Sequence, residues 1–111
     1  MILVTETLLR EMTEAIVEAV NPQRIVLFGS HARDQAGPDS DLDLLVVEDH
    51  PFGPDRSRRQ EMARIRKALS SFRIPKDILV YSADEVEKWR NSLNHVVSHS
   101  LREGKLLYER S

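Results

Sequence analysis

The sequence contains no cysteine, so disulfides, thiolate metal sites and cysteine nucleophiles are excluded from the outset. Aromatic residues make up only 5 % of it, which leaves no interleaved platform of the kind that stacks single-stranded nucleic acid. Linkers and low-complexity stretches are missing from its 111 residues, and one domain spanning residues 1–111 is expected. No apolar run approaches the roughly 18–20 residues that a membrane helix needs. The apolar start, Met1 to Val4, is too short for a signal peptide. A cytoplasmic protein without a membrane segment is the simplest expectation.

What is present is a hydrophobic content of 41 % and a charged content of 31 %, which suits a compact domain with exposed helix faces. The charge is unevenly spread. Gly29 to Asp55 holds seven acids against Arg33, and Arg56 to Lys76 holds eight bases against Glu61. Such neighbours can hold cations on one side and phosphates on the other, although solvated helix faces are the plainer reading. The run Arg56-Ser57-Arg58-Arg59 lacks aromatic partners, so direct nucleic-acid binding is not expected.

Apolar spacing orders the chain. Leu8, Leu9, Met12, Ile16 and Val20 form one stripe of a helix from Thr5 to about Val20, ended by Asn21-Pro22. Ile2, Leu3, Leu8 and Met12 are candidates for core packing or for a partner surface. Arg24 to Phe28 reads as a buried strand, followed by Gly29-Ser30, a helical turn at His31 to Arg33, and a loop from Asp34 to Ser40. Asp41 to Glu48 is a second strand. A helix after Asp55 carries Met62, Ile65, Leu69 and Phe72, and Lys76 to Tyr81 is a third strand. Ser82-Ala83-Asp84-Glu85 has the capping-box pattern of a further helix. Asn94 to Glu103 continues helically with Gly104 at the C′ position, and Leu106 to Tyr108 is a short terminal strand. His95 and His99, four apart, read as a helix-surface pair rather than a zinc-protease motif. This order predicts an α/β domain: a small sheet with helices on at least one face.

The chemistry concentrates in Gly29-Ser30, ten further residues, and Asp41-Leu42-Asp43, with Asp77 opening the next strand. Strand side chains alternate, so Asp41 and Asp43 share a face, about 7 Å apart. Leu45 and Val47 follow them on that face, so the strand runs from a polar rim into the core. If the third strand pairs with the second, Asp77 lies beside Asp43. Three converging carboxylates repel one another unless positive charge lies between them, and magnesium is the ion that suits oxygen ligands. Gly29 lets a phosphate approach the backbone, Ser30 opens a turn with unpaired N–H groups, and Arg33 lies one turn later. His31 falls within the same cradle. Together these parts suit in-line displacement at phosphorus.

Phe28-Gly29-Ser30-His31-Ala32-Arg33 and Ser40-Asp41-Leu42-Asp43-Leu44 resemble the motif of the DNA polymerase beta-like nucleotidyltransferase superfamily, in particular its minimal nucleotidyltransferase (MNT) branch. The resemblance implies that superfamily's mixed sheet flanked by helices. It implies that Gly29, Ser30 and Arg33 bind the triphosphate of ATP, and that Asp41, Asp43 and Asp77 ligate Mg2+, in two ions, and carry catalysis. Many members of that branch are antitoxins encoded beside a helical HEPN-type ribonuclease toxin. The resemblance therefore implies transfer of AMP to a hydroxyl of such a partner, a tyrosine above all, in a hetero-oligomer. Two alternatives stay open: a non-catalytic antitoxin that neutralises by docking, and a small-molecule nucleotidyltransferase that uses a separate substrate subunit.

Overall fold

The computed structural model describes residues 4–33, 35–37, 40–92 and 95–110. The expectations for Ile2, Leu3, Asp34, Pro38 and Asn94 lie outside them. In chain order the elements are α1 (Glu6–Val20), β1 (Arg24–Phe28), β2 (Leu42–Glu48), α2 (Arg58–Ala68), β3 (Lys76–Ser82), α3 (Ala83–Trp89), α4 (Val96–Glu103) and β4 (Lys105–Glu109). The sheet runs β3-β2-β1-β4. It is mixed: β2 pairs parallel with β3 through the α2 crossover, and β1 pairs antiparallel with both β2 and β4.

Strand β2 explains the layering. Leu42, Leu44 and Val46 face a core completed by Met12 and Ile16 of α1 and Ile65 of α2. Leu45 and Val47 face a second core with Val86 of α3 and Val97 of α4. These five β2 side chains are at most 1 % exposed, so helices cover both faces of the sheet.

Local chemistry sets the boundaries. Thr5 caps α1 by accepting from the Leu8 N–H at 3.1 Å, and Asn21 closes it in the left-handed region at φ 46°. Ser82 and Glu85 form the expected capping box. Several boundaries differ from expectation. Helix α2 begins at Arg58, capped by Ser57, and stops at Ala68, so Leu69 and Phe72 pack from beyond its end. His95 is not a helix-surface residue: its Nδ1 caps α4 by accepting from the Val97 N–H at 3.1 Å, and its ring stacks on Trp89 at 4.4 Å. Gly104 stands at the C-cap with extended backbone, φ −82°, not in the left-handed conformation expected. Its requirement for glycine is steric. A β-carbon there would run into the Ser100 carbonyl and the Val26 side chain, and would come within 2.9 Å of the Leu27 carbonyl.

The basic run after β2 is largely absorbed by structure. Arg56 bonds Glu48 at 2.5 Å, Glu61 at 3.0 Å and the His50 carbonyl at 2.6 Å, while Arg58 bonds Glu85 at 2.5 Å and the Val80 carbonyl at 2.7 Å. Glu48 is 3 % exposed, and among the described residues its Oε2 has no hydrogen-bond partner unless a proton lies between it and Glu61. Burial, then Glu61, push Glu48 up to about 8 against the opposing pull of Arg56. The folded state thus binds this proton more tightly than the unfolded chain does, at 4.5. The stability it contributes is complete below that value and is lost as pH rises through about 8. In thermal melts from about pH 6 to about pH 9, the wild-type midpoint should fall more steeply than that of Glu48→Gln. Parallel slopes would show that no proton resides there.

Candidate active site

Strand β1 ends at Phe28, and Gly29 turns the chain away with φ 74°. Phe28 stands opposite Asp43, so the turn arrives beside the first residues of β2. A β-carbon on Gly29 would be driven into the Asp43 Oδ2. The glycine therefore serves the carboxylate as well as the backbone angle, a role that sequence alone does not disclose.

The turn that follows is built by the Ala32 N–H donating to the Gly29 carbonyl at 3.1 Å, the Arg33 N–H to the Ser30 carbonyl at 3.2 Å, and the Gln35 N–H to the Ser30 carbonyl at 2.9 Å. Ala32 is buried and anchors it. Among the described residues, the Ser30 and His31 N–H groups have no partner, which leaves them available to an anion. His31 is half-buried, its Nε2 3.3 Å from the Ser40 carbonyl. Arg33 is held sideways: its Nη1 donates to Glu103 at 3.0 Å and its Nε to Gln35 at 3.1 Å. Glu103 enters the site's surroundings through this pair. No motif points to it; only its opposite charge near the start of β4 offered a cue.

Three aspartates stand on one edge. Asp41 is exposed and immediately precedes β2, one residue short of the strand expected to contain it. Leu42, fully buried, fixes this end, with its N–H donating to the Pro75 carbonyl at 2.9 Å. Asp43 is half-buried, and Asp77 lies directly beside it in the parallel register. Side chains in register share a face, one strand spacing of about 4.8 Å apart. That face is the one covered by α3 and α4, since Leu45 and Leu79 follow on it.

The electrostatics reflect this crowding. Burial, then the charges of Asp77 and Asp41, raise the Asp43 carboxyl above the usual carboxylate range; His31 and Arg33 pull it back. Among the described residues, no three acid or histidine side chains close into a cage for a cation. An oxygen-only, partly open set still fits a hard divalent ion that brings phosphate and water ligands with it, as magnesium does. Asp43 supplies the observation behind that fit, a carboxylate crowded by two others with too little positive charge near it.

A family model described as a nucleotidyltransferase domain matches residues 9–107. The chain belongs to that family. Solved structures share its fold. One, described as a nucleotidyltransferase from Sulfolobus solfataricus, is 20 % identical with a TM-score of 0.62 and matches over 95 % of this chain and 80 % of its own. A toxin–antitoxin complex with AMP-PNP is 18 % identical, TM-score 0.60, over 97 % and 76 %. A tri-AMPylated Shewanella oneidensis HEPN toxin in complex with MNT antitoxin gives 15 %, TM-score 0.53, over 96 % and 74 %. No curated protein sequence matches the chain. At these identities the solved structures speak for the fold.

Two substitutions test the geometry. Because the Asp43 proton affinity is raised on folding, the charged form costs stability above the unfolded value of 3.8, and the cost disappears at lower pH. Asp43→Asn should therefore raise the unfolding midpoint at neutral pH, read by calorimetry, while removing any stabilisation that wild type gains from Mg-ATP. Gly29→Ala should lower stability by about 1–3 kcal/mol, through crowding of Asp43 and a positive φ, in denaturant titration. An unchanged midpoint in Asp43→Asn would mean that burial and the neighbouring aspartates do not penalise the Asp43 charge, and one in Gly29→Ala that the turn has room for a β-carbon beside Asp43.

Proposed function

We propose that this nucleotidyltransferase-family chain transfers AMP from ATP to a hydroxyl of a partner protein, a tyrosine of a HEPN-type toxin, and acts as its antitoxin. The reading is carried by one observation: Asp43 and Asp77 side by side at the open edge of the sheet, with Gly29 pressed against Asp43. Support for the acceptor comes from the fold neighbour in which a tri-AMPylated HEPN toxin is bound to an MNT antitoxin.

In this mechanism Gly29, Ser30 and the Ser30 and His31 N–H groups receive the triphosphate, with Arg33 adding positive charge beside it. Asp41, Asp43 and Asp77 would hold Mg2+, in one or two ions, which supplies charge neutralisation at the phosphates and lowers the proton affinity of the attacking hydroxyl. The hydroxyl oxygen bonds to the α-phosphorus as the bond from that phosphorus to the bridging oxygen breaks. Pyrophosphate leaves, and the hydroxyl proton passes to Asp77. Asp43, whose proton affinity is raised by burial and then by its neighbours' charges, is the carboxylate that gains most from positive charge brought to the edge.

The test is intact mass spectrometry of the toxin encoded beside this protein, co-expressed with wild type or with Asp41→Asn/Asp43→Asn. Adenylyl increments with wild type and none with the variant are expected. A toxin that stays unmodified yet is neutralised and bound by both would establish docking instead. Increments on small molecules alone would move the reading to a small-molecule nucleotidyltransferase.

A further inference from the structure

Strand β4 ends the sheet, and beyond it stands no other strand among the described residues. Its sequence is Lys105-Leu106-Leu107-Tyr108-Glu109, a cation first, an anion last and apolar residues between. Such a strand is complementary to its own reverse. We propose that β4 pairs antiparallel with β4 of a second copy, about a two-fold axis through Leu107, joining two sheets edge to edge.

The register follows from symmetry, since a two-fold interface places residue i against j and j against i. With Leu107 on the axis, Lys105 of each copy meets Glu109 of the other, and Leu106 meets Tyr108. The symmetry gives two Lys105–Glu109 ion pairs. They cannot form within one chain, because four residues along a strand separate Lys105 from Glu109 by about 13 Å. Among the described residues Glu109 makes one long ion-pair contact, 3.8 Å from Arg24, and its side chain is 57 % exposed.

Packing points the same way. Leu106 is 54 % exposed, the large hydrophobic residue left open among the described residues. It lies on a groove of about 410 Å³ between α1 and β4, whose apolar part is formed by Leu9, Leu106, Leu107 and Tyr108. Glu6, Arg10 and Glu14 rim it. The ladder with β1 shifts between Ile25 and Val26, so Leu107 has no opposite residue on β1. The axis therefore falls on the residue least committed to its own sheet. A bulge and only five residues make the ladder short, and side chains must then set the affinity and the register. Lys105 and Glu109 do so: shifting the register by one residue separates the charges and turns the apolar residues to the wrong face.

The experiment is sedimentation equilibrium of the purified full chain. Wild type is expected to be a dimer, and Lys105→Glu and Glu109→Lys, which place like charges opposite each other twice, should each weaken it by about tenfold or more. The double variant Lys105→Glu/Glu109→Lys should restore the wild-type association. Leu106→Lys should give a monomer with an unchanged circular dichroism spectrum. Thermal melts of each variant separate loss of pairing from loss of fold, because β4 remains held by β1. A wild type that is monomeric at its highest soluble concentration overturns the proposal. So does a dimer that ignores the single reversals, or a double reversal that fails to restore it. A monomer that loses a co-expressed partner protein on Leu106→Lys overturns it too, and assigns the groove to that partner.

Discussion

A strand buried on both faces can carry charge only at its ends, and this constraint organises the whole molecule. Between Leu42 and Val47 every β2 position but Asp43 is sealed by one of two cores. Desolvating an ionised carboxylate inside either core would cost far more than any single contact returns. The acids that the protein keeps are therefore pushed to the strand's two ends, and those ends are treated in opposite ways.

At the far end, Glu48 is closed in. Arg56 reaches over from the turn before α2, Phe52 lies under its guanidinium at 4.4 Å, and Glu61 of α2 completes the cluster. The charge is dealt with inside the protein, by a cation and a tightly held proton. At the near end, Asp41 and Asp77 are exposed and Asp43 is half-buried, and nothing closes over them among the described residues. His31 and Arg33 offset the repulsion only in part, and Arg33 already answers to Glu103. One end is neutralised within the protein; the other keeps its negative charge open among the described residues.

This division explains which features were legible in the sequence. Features set by local spacing could be read: the apolar stripe of α1, the capping box at Ser82, the alternation that puts Leu45 behind Asp43, and the Gly29-Ser30 to Asp41-Leu42-Asp43 separation. The placement of Asp77 beside Asp43 was legible because a parallel crossover through one helix brings successive strands together. Features set by contacts between distant segments were not. Gly104 looked like a helix terminator, but its constraint comes from Val26 and Leu27 on another strand. His95 looked like half of a pair with His99, because no spacing rule announces that Trp89 will take its ring. The pairing of Arg33 with Glu103, on α4, likewise had no cue in spacing.

The same distinction bears on how the site is held in place. Its pieces come from β1, β2 and β3, three adjacent strands whose relative positions are fixed by ladders, and not from a long loop. Gly29 is set by Phe28 against Asp43, and Asp43 by Leu42, whose N–H is tied to Pro75 just before β3. Moving any one aspartate thus requires moving a buried leucine or breaking a ladder bond. Rigidity of this kind keeps like charges close together even though they repel, and the two cores supply the energy that holds them there. A looser frame would relieve the repulsion by letting the strands that carry Asp43 and Asp77 slide apart. It would also lose the concentrated negative edge that Asp41, Asp43 and Asp77 form.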